Sequence, residues 1–157
     1  MRTILFGVSL AMLTIAGGGE AYSAAVLRAV EAYAPDVKWQ AISELAADLD
    51  CDGRPDHALL GRHSGNVYVG VVLSSERKPQ VLGFAVDPGI QNAICAEPAV
   101  LSVESLDYDP PEEMGSIAVA GFRRSKRCKG LRLEGGECDS IHFFWNHKTR
   151  RLEWWRR

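Results

Sequence analysis

The densest chemistry in the chain lies in nine residues, Asp48-Leu49-Asp50-Cys51-Asp52-Gly53-Arg54-Pro55-Asp56, which place carboxylates at positions one, three, five and nine. Calcium takes about six to eight oxygen ligands, and a tightly turned loop brings alternate side chains inward around such an ion. The spacing predicts Asp48, Asp50, Asp52 and Asp56 as side-chain ligands. Gly53 permits the sharp turn, and the Arg54 carbonyl at position seven adds a backbone oxygen. Without a cation, carboxylates packed this closely repel one another. An EF-hand closes its loop with Glu at the twelfth position; Leu59 stands there, which disfavours a helix–loop–helix.

The same nine residues resemble the calcium loop of FG-GAP and VCBS-type repeats, in which DxDxDGxxD joins two β-strands. The resemblance covers the loop and its flanking strands, about a fifth of the chain. It implies the same four aspartates as ligands and a loop between strands rather than helices. Blades of that kind form propellers by repetition, and this chain carries one motif, so a propeller is not implied.

Other catalytic signatures are thin. The histidines are His57, His63, His142 and His147, and there is no GxSxG, HExxH, Walker or GxGxxG pattern. His57 follows the metal loop, and a small hydrolase built around it is the runner-up reading. Glu104, Asp107 and Asp109 lie close in sequence, and two acids two apart share a strand face, as any strand ending in an acidic loop produces. The first reading is non-catalytic.

Charge is segregated along the chain. Residues 1–120 carry a net −9 and residues 121–157 a net +7, within an overall −2. The overall balance excludes a uniformly basic nucleic-acid binder. Arg123, Arg124, Lys126, Arg127 and Lys129 form one basic cluster. Lys148, Arg150, Arg151, Arg156 and Arg157 form another, mixed with Trp145, Trp154 and Trp155. Basic residues interleaved with aromatics can hold an anionic partner, such as a glycan or an envelope component. The plainer reading is a solvated face, or a basic half docked on the acidic half.

Four cysteines, Cys51, Cys95, Cys128 and Cys138, show no CxxC spacing, which disfavours zinc and thioredoxin-like chemistry and favours two disulfides. Cys51–Cys95 and Cys128–Cys138 are the expected pairs, because Gly135-Gly136 folds the flanks of the second pair together. A disulfide at Cys51 would clip the metal loop from outside. The compartment agrees. Arg2, the apolar run from Ile4 to Ile15 and the small residues around Gly19-Glu20-Ala21 form a secretory signal peptide over residues 1–21, too short a run to anchor the chain in a bilayer.

Behind the loop, the patterning predicts one α+β domain over residues 22–157. An N-terminal helix capped by Ser23 puts Val26, Leu27, Val30, Tyr33 and Ala34 on one face and stops at Pro35. Strand patterns follow at 37–41, His57–Arg62, Val67–Leu73, Gln80–Val86, Val100–Tyr108, Leu131–Leu133, Ser140–Trp145 and Leu152–Trp155. Residues 87–98 and 109–129 carry no clear pattern. The expected architecture is the helix packed on a mainly antiparallel meander, pinned by two disulfides and one calcium loop. The expected function is a secreted or periplasmic calcium-binding module that recognises a protein, a glycan or an envelope component.

Overall fold

The computed structural model describes residues 18–110 and 118–157. Most of the segment read as a signal peptide therefore lies outside the described residues. The chain opens with helix α1 (Gly18–Tyr33), followed by β1 (Lys38–Trp39), a single 3-10 turn (Ala41–Ser43) and β2 (Leu45–Ala47). The main strands are β3 (Asp56–His63), β4 (Asn66–Val72), β5 (Gln80–Val86), β6 (Ala93–Ile94), β7 (Val100–Leu106), β8 (Ser125–Glu134), β9 (Ile141–Asn146) and β10 (Arg151–Arg156).

Helix and antiparallel strands are both present, but the strands form two sheets where the sequence pattern predicted one. The first has the order β1-β3-β4-β5-β6, with β2 also paired to β3; the second has the order β10-β9-β8-β7. Every pairing is antiparallel except the short β5–β6 contact. The second sheet and the β3-β4-β5 centre of the first are meanders, because consecutive antiparallel strands need only short turns. The β3–β4 turn illustrates this: Ser64 and Gly65 both have left-handed φ, 48° and 76°. That is the two-residue turn whose twist matches the flanking strands.

Strand alternation explains the layers. Ala58, Leu60, Val67, Val69, Val71 and Phe84 of the first sheet meet Leu101, Leu131, Leu133, Ile141, Phe143, Trp145 and Leu152 of the second in one core. Phe84 meets Phe143 edge-on at 5.6 Å. The intervening residues of the first sheet face the helix, where Val26 and Val30 pack on Leu59, Trp39 and Val72. Gly70 makes this contact possible, since a Cβ there would lie 2.7 Å from Trp39 and 3.0 Å from Val30. The helix begins at Gly18, so Ser23 lies inside it rather than at its cap. Tyr33 is exposed rather than on the apolar face, and Lys78 sits over its ring at 5.0 Å.

The outer face of the second sheet is covered as well. Leu106, Phe144 and Trp155 cluster there with Tyr108, Val119 and Phe122. Alternation put His142 and Phe144 opposite Phe143 and Trp145, as the pattern requires. Phe143, Phe144, Trp145 and Trp155 are all buried, and Trp154 is partly buried against the core.

The disulfides are Cys51–Cys128 and Cys95–Cys138, with Cα separations of 5.0 and 5.6 Å. This corrects the pairing expected from the Gly135-Gly136 turn. In the β8–β9 hairpin Leu131 lies opposite Phe143 and Leu133 opposite Ile141. Moving back along β8 to Cys128 therefore moves forward along β9, away from Cys138. Each bridge instead ties a connection of the first sheet to the second. Cys95 and Ala96 also donate their backbone N–H groups to the Gly135 carbonyl. Bridges closing loops of this length stabilise by roughly 2–4 kcal/mol each. Non-reducing peptide mapping is expected to recover these two pairs and no free thiol; recovery of Cys128 joined to Cys138 would refute the arrangement.

Candidate metal centre

The acidic loop runs from Asp48 to Pro55 between β2 and β3, so strands flank it on both sides. Its backbone turns through left-handed φ at Cys51 (69°) and Gly53 (85°). Glycine adopts that region at no cost; a non-glycine residue there is uncommon. The Cys51–Cys128 bridge fixes the turn against β8, and Lys129 donates its backbone N–H to the Asp48 carbonyl at 2.9 Å.

Three of the four aspartates converge. Carboxylate oxygens of Asp48, Asp50 and Asp56 lie within 4.8 Å of one another, close enough for one metal ion to bridge them. Asp56 is fully buried and anchors the group. Its Oδ2 accepts the N–H of Leu49 at 2.8 Å and of Asp50 at 3.2 Å, and its Oδ1 accepts the N–H of Ser74 at 2.8 Å. Burial pushes the Asp56 pKa above the usual 3.8, and these three N–H groups pull against that shift. Asp50 accepts the Asp52 N–H and the Ser75 hydroxyl. Asp48 accepts the Gly53 N–H through Oδ2, while its Oδ1 is buried with no hydrogen-bond partner. A buried, unpartnered carboxylate oxygen is costly, and a divalent cation would satisfy it. The donor set fits a hard cation: oxygen ligands only, two of the three part-exposed and so reachable from solvent.

Asp52 stands outside this group. Arg54 holds it with its backbone N–H at 2.8 Å and two guanidinium N–H groups at 2.9 and 2.6 Å, and the Ser74 hydroxyl donates at 3.2 Å. The Arg54 hydrogen bonds lower its pKa below 3.8. The Arg54 side chain is therefore engaged with Asp52. The nearest titratable strand residue behaves differently again. His57 is adjacent to Asp56 on β3, and adjacent strand residues point to opposite faces. Its Nδ1 pairs with Glu44 at 2.8 Å, and it lines a small apolar hollow beside Val26 and Val72. The fold does not gather His57 with the loop acids.

The first basic cluster and Lys148, Arg150 and Arg151 of the second share the end of the second sheet that carries the loop, while Arg156 and Arg157 lie at the other end of β10. Arg123, Arg124, Lys126, Arg127 and Lys129 occupy the start of β8 and the residues before it, while Lys148 and Arg150 lie on the β9–β10 turn and Arg151 opens β10. Several pair with the acidic half: Arg124 with Asp107 at 2.7 Å and Arg150 with Glu76 at 3.7 Å. Arg156 donates to the carbonyls of Gln91 and Ala93. Part of the segregated charge is thus internal complementarity.

Sequence reasoning missed one grouping. His142 Nδ1 lies 2.9 Å from Glu104 Oε2, and its ring stacks on Trp155 with centroids 4.3 Å apart. These residues line a cleft of about 480 Å³ on the outer face of the second sheet.

Fold and site together define a disulfide-stapled, β-rich domain with an acidic loop able to hold a metal ion. No protein-family model matches the chain, and no curated protein or solved structure is similar to it. The two disulfides point to an oxidising compartment. Among the described residues, no helix is long and apolar enough to cross a membrane.

Proposed function

We propose that the protein is a secreted or periplasmic calcium-binding module, stapled by its disulfides, that recognises an envelope component or another macromolecule. The convergence of Asp48, Asp50 and Asp56 around an unpartnered buried oxygen carries this reading. The Arg54 carbonyl is proposed as a further ligand, and Asp52 joins if it exchanges Arg54 for the ion. The FG-GAP-like spacing of the loop supports the same ion. Calcium accepts irregular oxygen cages; magnesium demands a tighter octahedron and keeps its waters, so it should substitute poorly. The role of the ion is to hold the loop and, through Cys51 and Lys129, the adjoining end of β8.

Extracellular calcium modules bind with dissociation constants of roughly 10⁻⁴–10⁻³ M. At about 1 mM calcium and a constant near 0.1 mM, mass action stabilises the fold by about 1.4 kcal/mol, or about 3–5 °C in melting temperature for a chain of this size. Thermal melts of wild type and Asp50→Ala, in chelator and then in calcium, test this. The wild type should show the shift and the variant should lose it. A wild type without a calcium-dependent shift, and without heat of binding at millimolar calcium, would remove the reading.

A further inference from the structure

The cleft on the outer face of the second sheet is lined by Glu104, Tyr108, Asp139, His142, Trp155 and Arg157, and none of these residues belongs to the metal loop. Three strands and one turn build it. Glu104 comes from β7, His142 from β9, Trp155 from β10, and Asp139 from the β8–β9 turn. Gly130 of β8 lies opposite Glu104 and presents no side chain; a Cβ there would come within 2.7 Å of Leu106 and 3.3 Å of Glu104. That gap lets Glu104 reach His142 from two strands away.

The ring of His142 is held on two sides. Glu104 fixes its Nδ1 edge and Trp155 lies parallel beneath it, with an interplanar angle of 13°. A carboxylate on Nδ1 sets the tautomer and leaves Nε2 as the outward edge. Among the described residues Nε2 makes no hydrogen bond. The second Glu104 oxygen accepts the Tyr108 hydroxyl at 3.5 Å. Trp155 is 6% exposed, yet its indole N–H has no partner. Buried aromatic N–H groups ordinarily find an acceptor, and this one is closed to solvent within the packed wall of the cleft.

The lining selects the class of ligand. Two carboxylates face one guanidinium, so the cleft does not attract an anion. The described side chains do not converge here at metal-ligand distances, as they do in the acidic loop. No nucleophile is coupled to His142: Ser140 donates to Glu134, and Ser105 accepts the Asp107 N–H. What remains is a set of acceptors and donors around a stacked aromatic floor. Vicinal hydroxyls matched to carboxylates, with C–H faces laid on rings, answer that description. We propose that this cleft binds a neutral hexopyranose, either free or as part of a glycan. The proposal rests on the recognition reading above and names its ligand.

The test is a titration of the oxidised full chain, followed by NMR at the tryptophan indole N–H and histidine ring signals, with Trp155→Phe assigning its indole. Methyl glucoside and methyl N-acetylglucosaminide are the free-sugar probes; their β-linked tetrasaccharides are the glycan probes. Saturable shifts at Trp155 and His142, with a dissociation constant of about 1 mM, are expected with at least one probe. Binding of the monosaccharides identifies a site for a single ring, and binding of the tetrasaccharides alone identifies a site for a chain. Glu104→Gln should weaken binding about tenfold or more, and the rim variant Asp139→Asn, which leaves the packed face intact, about threefold or more. No saturable shift with any probe, or binding unchanged in both variants, overturns the proposal. So does binding of heparin in place of all four neutral probes. The titration is run in chelator and in calcium. Sugar binding without any calcium-dependent melt would remove the calcium reading alone, and a calcium-dependent melt without sugar binding would remove the cleft alone.

Discussion

Deletion of residues 152–157 is expected to leave the chain unfolded or insoluble. These residues are nearly all of β10, an edge strand that pairs with β9 from Leu152 opposite Trp145 to Arg156 opposite Ile141. Edge strands are often dispensable, but this one is buried on both faces. Leu152 belongs to the core between the sheets, with Trp154 packed against it, and Trp155 belongs to the outer cluster with Phe144. The Leu152 N–H also donates to the Gln80 side chain at 2.9 Å, tying the two sheets together. Truncating a buried Trp costs about 3–5 kcal/mol and a buried Leu about 2–5 kcal/mol. Their sum, about 5–10 kcal/mol, is comparable to the roughly 5–15 kcal/mol that holds a domain together. Far-UV circular dichroism and a melt of the truncated chain check this, and Trp155→Ala alone should lower stability by about 3–5 kcal/mol. A truncated protein that melts as wild type would show β10 to be an ornament on the fold.

The strands with a covered face and a clear turn were legible from residues alone. Gln80–Val86 is an apolar run set between a charged turn at Glu76-Arg77-Lys78-Pro79 and Asp87-Pro88-Gly89, and β5 has those bounds. Ser64-Gly65 signals a hairpin because few other residues enter left-handed φ so easily. The segment His57–Gly61 is harder. It reads as a continuous apolar run because the helix covers one face of β3 and the second sheet covers the other. Burial on both faces erases alternation, and nothing local says what does the covering, so two sheets read as one. The start of β8 was invisible for the opposite reason: Lys126 and Arg127 are exposed and basic, and only Cys128 and Gly130 turn inward. β6 has two residues, too few for any period.

The site divides in the same way. The aspartate spacing is local chemistry, readable without a fold, and three of its four members converge. The fourth was not separable by spacing, because Arg54, two residues on, competes for the Asp52 carboxylate. The cysteine pairing failed because a local turn was weighed against nothing, whereas pairing across two sheets depends on where the connections of each sheet end. His142 and Glu104 are thirty-eight residues apart on strands that are not neighbours. No periodicity links them; only the sheet order and the missing side chain at Gly130 do.

Asp56 carries the other large expected effect, because it serves the fold before it serves any ion. Its carboxylate is fully buried and is the acceptor for three backbone N–H groups, from Leu49, Asp50 and Ser74. The first two shape the acidic loop, and the third pins the connection that follows β4 to the same point. Asp56→Ala removes all three acceptors at once. Each donor left unsatisfied costs about 1–3 kcal/mol, so the variant should lose about 3–9 kcal/mol and gain nothing from calcium. Asp56→Asn keeps one acceptor oxygen and turns an amide N–H₂ toward a backbone donor, so it should lose less, about 2–3 kcal/mol. Asp50→Ala is the counterpart. Its carboxylate is part-exposed and, among the described residues, bonds the Asp52 N–H and the Ser75 hydroxyl, so its loss in chelator should stay at about 1 kcal/mol. Urea unfolding of the three variants in chelator, then in calcium, separates scaffold from ligand. Equal losses for Asp50→Ala and Asp56→Ala in chelator would show that the buried carboxylate is not the anchor of the loop.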